Sequence, residues 1–135
     1  MIYTSYFAKL KSLPDNIIPI SITGGTPPWF KGLTYKKLAP KYDFFSEWKR
    51  DGYDERFAKC FKEQVLDKLN PKLVVEELDD ILLSSVSAID YEIDSILIPH
   101  IALICYEKST DFCHRHLVAD WLNENGFKCE EWSGN

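Results

Sequence analysis

The feature that most constrains this chain is an unbroken apolar run, Ile101-Ala102-Leu103-Ile104-Cys105, set between Pro99 and a polar corner, Tyr106-Glu107-Lys108. A strand with one wet face alternates apolar and polar residues, whereas a continuous run marks a strand covered on both faces. Such a strand belongs in the middle of a sheet. The corner passes through Ser109, Thr110 and Asp111 into Phe112-Cys113-His114-Arg115-His116, which opens a helix running to Asn125, with Gly126 as its stop.

The remaining elements fit around that strand. Ile2 to Phe7 is rich in β-branched and aromatic residues and predicts a first strand. Ile17 to Thr23 predicts a second, in which Pro19 must sit at a start, a bulge or an edge because it cannot donate to a ladder. Gly24-Gly25-Thr26-Pro27-Pro28 ends it abruptly. Between Leu33 and Arg50 the aromatics Tyr42, Phe44, Phe45 and Trp48 read as packing against a core edge. Phe57, Cys60, Phe61, Val65 and Leu69 share one helical face, with Asp51 or Asp54 as cap. Asn70-Pro71 then starts a second helix. Ser84 to Pro99 favours neither state and has the look of an insertion, and Phe127 to Trp132 closes the chain as a last strand. Strands separated by helices predict one α/β domain over residues 1–135, with a mostly parallel sheet of about four to five strands and right-handed crossovers.

Composition excludes several classes. A chain of 135 residues that is 45% hydrophobic can bury a core, so disorder is excluded. No apolar run approaches the ~18 residues of a membrane span, and Met1 to Tyr6 lacks the pattern of a signal peptide, so a cytoplasmic protein without a membrane partner is expected. A net charge of −5 argues against strong nonspecific binding to nucleic acid. Cys60, Cys105, Cys113 and Cys129 form no close-pair motif and are expected as reduced thiols.

Ligands of open α/β sheets bind outside the carboxyl ends of strands, which here means Tyr6-Phe7, Thr23-Gly24-Gly25 and Tyr106-Glu107. With Asp111 as cap, Cys113, His114 and Arg115 fall in the first turn of the last helix. His114 then lies on the apolar face with Leu117, Val118 and Trp121, either as a core histidine bonded to a carbonyl or as a functional group, while His116 points to water. Arg115 is out of place, since a cation in the first turn opposes the helix dipole. A bound phosphate or carboxylate would satisfy both it and the free N–H groups, and the alternative is a surface arginine paired with Glu107, Asp111 or another acid. Cys113 has the surroundings that lower a thiol pKa, but only one residue separates it from Arg115, against the five of a phosphatase loop. In a zinc site from Cys105, Cys113, His114 and His116 the two histidines cannot both reach one ion unless the helix starts later, because helix residues two apart point in nearly opposite directions. No metal and no cofactor is expected.

Tyr3-Thr4-Ser5-Tyr6-Phe7, Ile20-Ser21-Ile22 with Pro28-Trp29, Leu38-Ala39-Pro40, and above all Leu103 to Lys108 leading into Phe112 to Leu122 resemble the family known as domain of unknown function 488. The resemblance spans nearly the whole chain. It implies a small Rossmann-like, three-layer α/β fold, with the motif carried by Cys105, Glu107, Cys113, His114 and Arg115, and it brings no established activity. The chain departs from the pattern after Ser21, where relatives often carry a basic residue.

Two functional expectations follow. The first is a pocket for a phosphorylated small molecule, most simply a nucleotide or nucleotide-like ligand, either turned over or sequestered. Arg115 holds the phosphate with Lys108 beside it on the corner, Ser5 and Ser21 add polar contacts, and Tyr6 or Trp29 stacks on a base. If there is chemistry, Glu107 or His114 is the acid/base and Cys113 the nucleophile. The second is an acidic interaction module, such as an inhibitor of a partner protein. There the aromatics Phe44, Phe45 and Trp48 form the contact surface and the Cys-His-Arg motif is structural.

Overall fold

The apolar run is the middle of the sheet. In the computed structural model, which describes residues 1–87, 99–108 and 111–134, strand β4 (His100–Cys105) is third in the order β3-β2-β4-β1-β5. β1 (Ile2–Tyr6) and β2 (Ile17–Ser21) flank it, with β3 (Leu33–Thr34) and β5 (Cys129–Glu131) at the edges. All pairings are parallel. Residues Ile101 to Cys105 are each at most 1% exposed, as a strand covered on both faces requires.

The two covers are unequal. Ile101 and Leu103 join the larger core, built from Phe44 of α1 (Tyr42–Asp51), Phe57 and Phe61 of α2 (Asp54–Gln64), Val74 and Leu78 of α3 (Pro71–Ser87), and Val118 and Leu122 of α4 (His114–Glu124). Ala102 and Ile104 face a smaller core of Phe7 and Ile17, with Leu10, Leu13 and Phe30 packed around it. A short 3-10 turn, Phe7–Ser12, and the loop before β3 supply most of that second cover. The result is a Rossmann-like three-layer α/β fold with helices concentrated on one side. Each fully buried Leu, Ile or Phe stabilises it by about 1.5–3 kcal/mol relative to exposure.

Local signals explain several boundaries. The Asn70 side chain accepts hydrogen bonds from the Lys72 and Leu73 amides at 2.9 and 3.3 Å, and Pro71 opens α3 where its missing N–H is no loss. Pro19 sits inside β2, yet it costs no ladder bond. Ile22 N–H donates to Ile104 on the β4 side, so Pro19 points the other way, beyond the end of β3, which pairs only with Ile20 and Ser21. Gly126, at φ +86°, follows α4 as expected. Residues 84–87 continue α3, and the rest of the suspected insertion, 88–98, lies outside the described residues. No helix among the described residues is long and apolar enough to cross a membrane.

One expectation gains detail and one needs correction. The aromatics between Leu33 and Arg50 do pack on the core, Phe44 within it and Phe45 and Trp48 against it, and they lie on a regular helix, α1, closed by Gly52 at φ +67°. Its aromatics looked irregular because they serve two faces, with Phe44 in the core and Tyr42, Phe45 and Lys49 on another side. The last helix also starts later than predicted, with an extended Cys113 rather than Asp111 as N-cap. Phe112 is drawn out of the helix by Trp48 and Phe57, whose ring centroids lie 5.8 and 5.5 Å away.

Candidate functional site at the crevice between β2 and β4

The chain leaves β2 toward β3 and leaves β4 toward β5, so the connections after these adjacent strands diverge and open a crevice at their carboxyl ends. A pocket of about 580 Å³ lies there. The turn Thr23-Gly24-Gly25 forms one rim, and Tyr106 and Glu107 with the helix opening Phe112-Cys113-His114 form the other. Tyr106 donates its hydroxyl to the Gly25 carbonyl at 3.3 Å and so ties the two rims together. The third wall is α1, whose Tyr42, Phe45 and Lys49 recur at i, i+3 and i+7, with Trp48 beside them and Phe57 of α2 behind. The Lys49 ammonium lies 5.5 and 5.4 Å from the ring centroids of Phe45 and Trp48, a cation–π arrangement at the pocket wall. Neither Lys49 nor the Glu107 carboxylate has an ion pair among the described residues.

His114 is buried and hydrogen-bonded through Nε2 to the Ile22 carbonyl at 2.7 Å. A carbonyl only accepts, so Nε2 carries the proton and Nδ1 keeps its lone pair, 3.8 Å from the Cys113 sulfur. Burial, which penalises the imidazolium, pushes the His114 pKa down to about 4 against the opposing pull of that carbonyl, so the ring is neutral at neutral pH. The Cys113 sulfur is bonded to that of Cys105, 2.07 Å away, which corrects the expectation of reduced thiols for these two; Cys60 and Cys129 are free. No close-pair motif announced the bond. It arises because the last residue of β4 and the N-cap of α4 converge across the corner.

Arg115 is fully buried and does not line the pocket. Its Nε and Nη2 donate to the two Glu131 oxygens at 3.0 and 2.9 Å, and Nη1 reaches the Glu107 carbonyl at 2.6 Å and the Cys105 sulfur at 2.9 Å. The guanidinium also lies 5.4 Å from the Tyr6 ring centroid. Thr4 donates to the same Glu131 oxygen at 2.6 Å. Desolvation would raise the Glu131 pKa, but the hydrogen bonds from Arg115 and Thr4 outweigh it and hold the carboxyl below its ordinary value. The cation that looked misplaced at a helix start is thus satisfied by an acid sixteen residues on, in β5, rather than by Glu107 or Asp111.

The pocket therefore brings together Glu107, Cys113 and His114, and not Arg115, Ser5, Tyr6, Ser21, Trp29 or Lys108. Ser5 is buried, and its hydroxyl has no hydrogen-bond partner among the described residues. Ser21 is buried beside the Thr23 hydroxyl, 2.9 Å away, and Thr23 in turn donates to the Gly25 carbonyl. Trp29 is 59% exposed and packs edge-on against Phe7 and Phe30. Lys108 is exposed on the corner. His116, expected toward water, is half-buried, and its Nε2 has no hydrogen-bond partner among the described residues. Sequence reasoning missed Lys49, Tyr42 and Phe57 as pocket residues; the i, i+3, i+7 spacing of Tyr42, Phe45 and Lys49 was the available signal. In comparisons with protein-family models, curated proteins and solved structures, nothing matches this chain.

Proposed function

We propose that the crevice pocket binds a small aromatic molecule carrying an anion, most simply a phosphorylated nucleotide-like ligand. One observation carries the reading: an aromatic wall, an ammonium with no ion pair among the described residues and the start of α4 share a single pocket. The ring would lie against Phe45, Trp48 and Tyr106, where aromatic faces supply large contact area. The phosphate would meet Lys49 and the N-terminal end of α4, where a helix dipole favours negative charge. Lys49 thus takes the role the sequence suggested for Arg115. If the ligand is turned over, the neutral His114 and Glu107 are the acid/base pair within reach, and Cys113 would act as nucleophile only after reduction. On this reading the chain is a divergent member of the domain of unknown function 488 family.

The interaction-module reading keeps a smaller surface, since Phe44 is 3% exposed and only Phe45 and Trp48, half-buried in the pocket wall, remain accessible. The test is thermal unfolding of the wild type and Trp48→Ala against a panel of nucleosides and their mono-, di- and triphosphates. A bound member at a hundredfold excess over its Kd stabilises the wild type by about 2.7 kcal/mol, and Trp48→Ala loses most of that shift. No shift from any member, or an equal shift in Trp48→Ala, overturns the proposal.

A further inference from the structure

We propose that, once the Cys105–Cys113 bond is reduced, Cys105, Cys113 and His114 form a three-ligand zinc site whose fourth position opens into the pocket. Their ligand atoms lie within 4.8 Å of one another and all three residues are buried. Two thiolates and one imidazole are a donor set zinc favours, and three protein ligands with one open position is the pattern of catalytic rather than structural sites. His116, the fourth member of the motif, is outside this cluster, which removes the geometric objection that a site including both histidines faces.

Three further observations fit the site. The Ile22 carbonyl fixes the His114 ring from behind and leaves the Nδ1 lone pair toward Cys113, the outer-shell bond that metal-bound histidines usually make. The Arg115 guanidinium, with Nη1 at 2.9 Å from the Cys105 sulfur, would offset the negative charge of two thiolates. The Cα atoms of the two cysteines stand 7.5 Å apart. That exceeds the about 4.4–6.8 Å disulfides usually span. Two sulfurs on one tetrahedral zinc, each at about 2.3 Å, need to be about 3.8 Å apart. Since Cys113 and His114 line the pocket and Cys105 does not, the remaining coordination position faces the space that Glu107 also lines.

The chemistry balances with a low-molecular-weight thiol as reductant. Two equivalents of that thiol give up two electrons and two protons, the Cys105–Cys113 bond opens to two thiols, and the reductant leaves as its own disulfide. Zinc then displaces one proton from each thiol and binds the two thiolates and Nδ1 of neutral His114.

The test is titration of the full chain with Co²⁺ and Zn²⁺ alone, before and after reduction and removal of the reductant. The reduced protein takes up one Co²⁺ with thiolate charge-transfer and intense tetrahedral d–d absorption, which one equivalent of Zn²⁺ abolishes, and the unreduced protein shows neither. Outer-shell changes at zinc sites cost about 10–100-fold in affinity. Cys105→Ser and Cys113→Ser, which remove ligands, should therefore each lose at least about a hundredfold, while His116→Ala and Cys129→Ser leave affinity unchanged. Should the serine variants fail to fold, thiol labelling of the reduced wild type decides: Zn²⁺ protects two cysteines from alkylation and leaves the half-buried Cys60 reactive. Absence of the charge-transfer band, full affinity in either serine variant, or no protection by Zn²⁺ overturns the site.

Discussion

Toward β1 and β5, the polar groups at the carboxyl end of β4 are spent on one another; toward β2, they are left for a pocket. On the first side Thr4, Arg115 and Glu131 form a closed network joining β1, α4 and β5, and Arg115 reaches back to the Glu107 carbonyl. On the second side Lys49, Glu107 and His114 line the pocket, and His114 Nδ1 meets only the Cys113 sulfur, 3.8 Å away, among the described residues. The difference teaches that an out-of-place charge is not by itself a site. Arg115 looked functional because it breaks a local helix rule, and a half-buried carboxylate from β5 resolves the conflict. Lys49 breaks no such rule, yet among the described residues it is the lysine or arginine that lines the pocket.

The largest expected effect tests the closed side. Arg115→Ala leaves the Glu131 carboxylate short of its partner and removes packing on Tyr6, and loss of one partner of a buried pair costs about 3–5 kcal/mol. Chemical denaturation measures it. A loss below 1 kcal/mol, in the range of a surface pair, would show that the network is not closed.

How much of this was readable follows the range of each interaction. The buried strand, the Asn70-Pro71 helix start and the Gly126 stop depend on neighbours in sequence, so pattern and capping rules reach them. The convergence of Cys105, Glu107, Cys113 and His114 was legible for the same reason, since one strand, one corner and one helix start hold them all. The Arg115–Glu131 pair and the α1 wall were not, because each depends on which segments the sheet order brings together; the Cys105–Cys113 bond is local, but no close-pair motif marks it. β5 sits beside β1, two places from β4, and nothing local to Arg115 indicates that.

A smaller effect comes from pH. The folded-state pKa of Glu131 lies below its ordinary value, so the pair's contribution is present above the unfolded carboxyl pKa and is lost as pH falls through the folded one. His114, neutral down to about pH 4, adds a loss in the same acid direction, so the Glu131 share is read as the difference between wild type and Glu131→Gln. Urea unfolding from neutral to acid pH should show the two converging as Glu131 protonates. Parallel curves throughout would mean that Glu131 does not titrate with folding.

Thr4→Val removes one hydrogen bond to the same carboxylate while keeping a β-branched residue in β1, and should cost about 1.5–3 kcal/mol, the range for bonds to charged groups. In a double-mutant cycle with Arg115→Ala the two losses should fail to add, because both act through Glu131. Additive losses would divide the network into independent contacts.

The smallest stability effect should come from the open side. Lys49 is exposed and has no ion pair among the described residues, so Lys49→Ala should change unfolding free energy by no more than about 0.5 kcal/mol. A cation contacting a ligand phosphate is worth more than that, since hydrogen bonds to charged groups contribute about 1.5–3 kcal/mol. The same variant should therefore weaken a phosphorylated ligand at least about tenfold while leaving the parent nucleoside, held by Phe45, Trp48 and Tyr106, within about twofold. Arg115→Lys supplies the opposite control, because it keeps a cation on the closed side but loses the paired geometry to Glu131. It should lower stability more than Lys49→Ala and leave the ratio of phosphorylated to unphosphorylated affinity unchanged. If that ratio moves with Arg115 and not with Lys49, the anion sits on the closed side after all, and the roles of the two cations are reversed.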